Sequence, residues 1–299
     1  MQQETNIELA KTRDLGEIIS DSFTFIKQNF KPLFKAFFTF CGLLLLATAI
    51  TYTLQQVKML EYQRRIFSNQ GFQAFDTFFD RLGIEYFLTM FFLFFNYALM
   101  TTVVLSYMAL YKQKGNIAPT NEELWGYVKY YILRMFLATF LLSILLVLAT
   151  MLCILPGVYV YPIFGLIFPI MIMENGSFGY AYKRSFSLIK DNWWTTFGTL
   201  FVMGLIMYIG YMIFSIPTLV ITIINALMHG SASAASSVPV VSVTAFIQQL
   251  GHILYVLPLV SLGLCYYNLN EIREGTGLID RINQFGTNRP NNNLPAEEY

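Results

Sequence analysis

MFLATFLLSILLVLATMLCILPGVYVYPIFGLIFPIMIM, residues 135–173, contains no Asp, Glu, Lys or Arg. A helix needs about 20 apolar residues to cross the hydrocarbon of a bilayer, so this stretch is long enough for two passages. The Pro156-Gly157 pair inside it marks a tight reversal, because proline cannot continue a helix and glycine accepts turn dihedrals. Residues 36–57, 86–111 and 192–270 are uncharged in the same way. Over the whole chain 56% of residues are hydrophobic and only 12% charged, with mean hydropathy +0.52. A soluble domain carries about 25% charged side chains, and a water-facing surface cannot be assembled from this composition. The sequence therefore predicts an all-α membrane protein with about six transmembrane helices.

The predicted crossings are 33–55, 84–111, 131–155, 158–173, 194–227 and 241–270. The fourth holds Pro162 and Pro169, and its 16 residues reach only about 24 Å, so it either crosses with local thinning or is re-entrant. Pro217 predicts a kink in the fifth crossing, and the segment HGSASAASSVP (229–239) a flexible link before the sixth. Residues 56–83 read as a charged surface loop with helical extensions, in which Phe72, Phe75, Phe78 and Phe79 touch lipid or a neighbour. Thr120 and Glu123 stand at capping-box spacing before the third crossing. The first 14 residues, MQQETNIELAKTRD, are polar and show no secretory signal, so insertion is expected to use uncleaved helices. The segment 275–299 is polar and Asn-rich, and a disordered end is expected there.

Fifteen of the 19 Lys and Arg fall on the N-terminal side of a six-crossing chain, whereas Lys58, Arg64, Arg65 and Arg81 share one opposite loop. Basic residues resist translocation, which predicts both termini in the cytoplasm of a bacterial plasma membrane.

Leu15, Ile19, Phe23, Ile26 and Phe30 recur at helical spacing with Glu17, Asp21, Lys27 and Lys31 around them, the pattern of an amphipathic helix lying in the membrane interface. Pro32 can then serve as a break or as the first turn of the next helix. The pattern returns 163 residues later. Ser22, Phe23, Ile26, Lys27, Asn29, Phe34 and Phe38 recur as Ser185, Phe186, Ile189, Lys190, Asn192, Phe197 and Phe201, and Gly16 recurs as Gly179. The stripe recurs as Phe178, Tyr182, Phe186, Ile189 and Trp193, and Ser106-Tyr107 with Leu110 resembles Cys265-Tyr266 with Leu269, each followed by a glycine. These matches predict a parallel internal repeat, about 15–115 and 177–274, related by a pseudo-twofold axis along the membrane normal, with 131–173 as the connecting hairpin in one transmembrane domain, 15–274. Interfacial aromatic and Lys residues also recur for anchoring alone.

Residues 155–200, LPGVYVYPIFGLIFPIMIMENGSFGYAYKRSFSLIKDNWWTTFGTL, resemble the signature region of the membrane domain attached to some glycerophosphoryl diester phosphodiesterases and to related multi-pass bacterial proteins. Pro156, Gly157, Glu174, Ser185, Lys190, Trp193 and Trp194 stand at the matching positions. The resemblance implies a six-crossing fold. It does not carry the phosphodiesterase activity, which needs a soluble barrel domain of about 250 residues that this chain lacks.

Little chemistry is written in the rest. Net charge is +1, without the basic stripe of a nucleic-acid binder. Cys41, Cys153 and Cys265 are far apart and read as packing residues, so no metal or cofactor is expected. Lys27, Lys31, Lys183, Arg184 and Lys190 are candidates for contact with lipid headgroups or for plain anchoring. Glu174, Gln248 and His252 are candidates for a polar site within or at the edge of the membrane, because ionisable groups there are functional by default. His229 falls in the Ser/Ala-rich link. The reading that follows is a non-enzymatic protein binding or organising lipids or partner proteins, with membrane lipids, other membrane proteins or a second copy as partners. A transporter, channel or lipid-translocating protein is the alternative, and a membrane-embedded enzyme comes third for want of general acid/base groups.

Overall fold

The computed structural model describes residues 7–67, 83–229 and 238–275, and these are helical almost throughout. The Phe72–Phe79 aromatics, most of the Ser/Ala-rich link and the tail beyond Gly275 lie outside the described residues. Helix α1 is Leu15–Gln28, α2 Phe30–Phe67, α3 Ile84–Gln113, α4 Asn121–Leu152 and α5 Ile154–Met173. Then come α6, Phe178–Ile189, α7, Trp193–His229, α8, Val238–Leu250, a 3₁₀ turn, Gly251–Tyr255, and α9, Val256–Glu274. Six spans among the described residues are long and apolar enough to cross a membrane, the last running through α8, the 3₁₀ turn and α9. The chain is a multi-pass helical membrane protein.

Local signals explain the helix ends. Asp14 caps α1 with a reciprocal capping box to Glu17, and Thr120 does the same for α4 with Glu123, the latter as expected from the sequence. Pro32 takes the first turn of α2, where its missing N–H costs nothing. Gly275 ends α9 in the left-handed conformation, φ 58°, that glycine adopts without strain.

Several boundaries differ from the sequence reading. The reversal after α4 falls at Cys153, in extended conformation, and Pro156 belongs to the first turn of α5. Gly157 is needed for a different reason: a Cβ there would stand 2.4 Å from Thr150 Oγ1 and 3.1 Å from its Cα, so the two helices meet at this point. Starting at Ile154, α5 has 20 residues and reaches about 30 Å, the thickness of the hydrocarbon. Helix α7 continues as one helix through Pro217, and His229 is its last residue. Cys41 and Cys265 are buried, but Cys153 is exposed at the turn. The N-terminal segment docks on the bundle, with Ile7, Leu9 and Ala10 buried.

Helices α2, α3, α4 and α5 pack in chain order, α2 also meets α8, and α9 lies against α1, α3, α5 and α7. Helix α1 turns Ile18, Ser22 and Phe25 inward, and Ser22 Oγ, which donates to the Ile18 carbonyl, lies 3.0 Å from Ser261 Oγ of α9. The stripe of large apolar residues is divided: Phe23 is 42% and Phe30 55% exposed, whereas Ile26 packs against the core. Helix α6 behaves alike, burying Ala181, Ser185, Leu188 and the stripe residue Ile189 while Tyr182 is exposed. A small serine in each buried row, Ser22 and Ser185, allows close approach to the neighbouring helices.

Candidate functional site

The turn from α5 to α6 builds a polar cluster. Glu174 caps α5, and Asn175 takes a left-handed conformation, φ 49°, which asparagine tolerates better than most residues. Ser177 then caps α6 by accepting the Tyr180 N–H. This reversal lays the first turns of α6 over the Glu174 carboxylate. Tyr180 OH donates to Oε2 at 2.7 Å, Tyr266 OH donates to Oε1 at 3.0 Å, and Arg184 Nε lies 3.4 Å from Oε1. Arg184 also donates to Asn270 Oδ1 at 3.1 Å and pairs with Glu274, while Arg273 donates to the Ser187 carbonyl. Burial alone would lower the Arg184 pKa, but the hydrogen bond it donates to Glu274 and the charges of both glutamates hold it above its ordinary value. The hydrogen bond to Glu174 raises the Tyr180 phenol.

Glu174 and Arg184, read from the sequence as candidates of different kinds, are thus one ion pair. Lys27, Lys31, Lys183 and Lys190 are exposed. Gln248 belongs to a separate network, donating to Thr218 Oγ1 at 3.3 Å and accepting from Tyr52 OH at 3.2 Å, which joins α8 to α7 and α2. His252 lies in the 3₁₀ turn, with Nδ1 3.1 Å from the Gln249 carbonyl and its ring stacked on Tyr255 at 5.6 Å.

Beside the α5–α6 turn runs a groove of about 710 Å³, bounded by Tyr130, Arg134, Leu137, Ala138 and Leu141 of α4, Met171, and Asn175, Ser177 and Phe178. It is chemically graded. The Arg134 guanidinium, stacked over Tyr130 at 4.6 Å, and the first turn of α6 lie at one end, with Leu137, Leu141 and Met171 along the rest. Both features at the polar end favour an anion. Arg134 was not singled out in the sequence, although its position next to the long uncharged run is the available signal.

A second, partly open cavity of about 610 Å³ lies between the helices, within the usual size range of small-molecule pockets. Its walls come from α3 (Met90 to Met100), α4 (Thr139 to Leu146), α5 (Tyr161 to Phe168), α7 (Leu200 to Met207), His252 and Tyr255 of the 3₁₀ turn, and the start of α9. The lining is mostly aliphatic and aromatic, with Asn96, Tyr97, Thr139, Ser143, Tyr161, His252 and Tyr255 as polar exceptions. Sequence reasoning found only His252 among these, since one Asn within the apolar run of α3 carries no spacing signal.

No protein-family profile, curated protein or solved structure matches the chain.

Proposed function

We propose that this is a non-enzymatic protein of the bacterial plasma membrane that binds anionic phospholipid, with both termini in the cytoplasm. The carrying observation is the graded groove, in which the Arg134 charge meets one end of an apolar channel built from Leu137, Leu141 and Met171. A phospholipid has this polarity: a phosphate at the interface and acyl chains below it. The exposed Lys27, Lys31, Lys183 and Lys190 add attraction at the surface, about 1 kcal/mol each. Lipid carried through purification tests the reading. Arg134→Gln should lower co-purifying phosphatidylglycerol relative to phosphatidylethanolamine about fivefold. An unchanged ratio contradicts it.

The two halves are proposed to be copies of one ancestral unit. In support, the helices of each half start in register: the caps Asp14 and Ser177, the first residues Leu15 and Phe178, and the restarts Phe30 and Trp193 all stand 163 residues apart. The buried rows Ile18, Ser22, Phe25 and Ala181, Ser185, Leu188 keep the same offset. So do the ring columns Phe30, Phe34, Phe38 and Trp193, Phe197, Phe201. The resemblance to the membrane domain of glycerophosphoryl diester phosphodiesterases belongs to the same proposal and extends to architecture only.

Translocation of a lipid or solute is the second reading, favoured by the interruption of the last span. The 3₁₀ turn and the proline-bearing α5 both contribute to the second cavity, as broken helices do at transporter sites. Flux of labelled lipid in proteoliposomes separates the two readings.

A further inference from the structure

Asn96 lines the second cavity and is 2% exposed. Its amide orientation is fixed by chemistry. Thr48 Oγ1 donates its only hydrogen to the Leu44 carbonyl at 2.7 Å and so can only accept from Asn96, which places Nδ2 toward it at 3.3 Å. The opposite atom, Oδ1, is buried, and no donor among the described residues reaches it. An unsatisfied acceptor in an apolar interior costs about 1–3 kcal/mol, which a donor entering the cavity would relieve. The wall hydroxyls Thr139 and Ser143 give their hydrogens to the Met135 and Phe140 carbonyls, and most of the remaining wall is hydrocarbon and aromatic ring, which suits an apolar chain. The tyrosines Tyr97, Tyr161 and Tyr255 share the cavity and supply flat apolar surface close to the polar spot.

We infer that the cavity holds a long apolar molecule bearing one hydroxyl, which donates to Asn96 Oδ1. This site is separate from the Arg134 groove: it takes an uncharged alcohol, whereas the groove takes an anion. The chain is straight, as in a glyceride, or branched, as in an isoprenoid alcohol. The shared chemistry is one O–H donor on hydrocarbon.

The test uses the full chain in detergent and matched pairs of probes, hexadecanol with its methyl ether and farnesol with its methyl ether, titrated by native mass spectrometry. The ether keeps the chain and the oxygen and loses the donor. The expected result is that the alcohol of at least one pair binds about fivefold more tightly than its ether, the value of one hydrogen bond of ordinary strength. Asn96→Ala should abolish that preference while the ether binds as before, and Arg134→Gln should leave it intact. The pair that discriminates identifies the chain type. Asn96→Leu, of similar branching, serves if the alanine variant does not fold, and the wild-type comparison needs no variant at all. Equal affinity for alcohol and ether in the wild type overturns the inference, and so does a preference that survives loss of the Asn96 amide. Failure of all four probes to bind removes the cavity site and leaves the groove reading to its own experiment.

Discussion

Helices α1 and α6 carry the same pattern and bury the same row of positions, yet they rest on different neighbours. α1 lies across α9 and α7, while α6 lies on α5 and meets α9 near its end. Each is secured there by an arginine, and in both cases the chain ends up tied to the last turns of α9. Arg13, with a side chain 0% exposed, pairs with Asp21 at 2.7 Å and donates to the carbonyls of Glu8, Leu9 and Lys11, while its backbone N–H donates to Asn268 Oδ1 at 2.7 Å. Arg184 is more open and reaches Glu174, Asn270 and Glu274. The shared pattern places the same row of positions inward in both helices. What covers that side is decided by single polar residues that no period reveals.

The sharpest way to break the comparison is to remove each arginine clamp in turn and follow thermal unfolding in detergent with a thiol-reactive dye, which reports the buried Cys41 and Cys265 in a Cys153→Ser background. Arg13→Ala should cost on the order of 4 kcal/mol, because it deprives a partly buried carboxylate and three carbonyls of their donor at once. Glu174→Ala should cost about 2 kcal/mol, since Arg184 keeps Glu274 and Asn270. If the order of these two is reversed, the description of the α1 clamp as the more buried one is wrong. Ser22→Val and Ser185→Val test whether the two buried rows are equivalent. Both serines are fully buried, and each change should cost about 1.5 kcal/mol through overpacking. A large effect at one site and none at the other would argue that the register is a coincidence of pattern. The smallest effects belong to Lys27→Gln and Lys190→Gln. Each should leave unfolding within about 0.5 kcal/mol of wild type and reduce binding to anionic vesicles about fivefold.

The six spans were legible because charge is excluded from hydrocarbon, a constraint that acts on every residue of residues 86–111 or 192–270. Caps were legible for a similar reason: Thr120 and Glu123 satisfy each other locally. The reversal at Cys153 was misread as a Pro156 break because proline is tolerated in a first turn as well as after a last one. The 3₁₀ turn at Gly251–Tyr255 lies in a run with no charge and no break signal beyond one glycine. The candidate site fared worse. Glu174 and Arg184 are ten residues apart across a turn, and Arg13 works through carbonyls, which leave no mark in a sequence. Asn96 matters only because Thr48, on another helix, has already committed its hydrogen.

The central claim is that lipid surrounds two related halves whose α1 and α6 helices lie on one side of the membrane. It is tested most directly by labelling single thiols in spheroplasts with a membrane-impermeant maleimide, at Lys27→Cys, Lys190→Cys and, in the loop predicted to face outward, Ser68→Cys. Ser68→Cys should react in intact spheroplasts, and the other two only after permeabilisation. Opposite behaviour at positions 27 and 190 would contradict it.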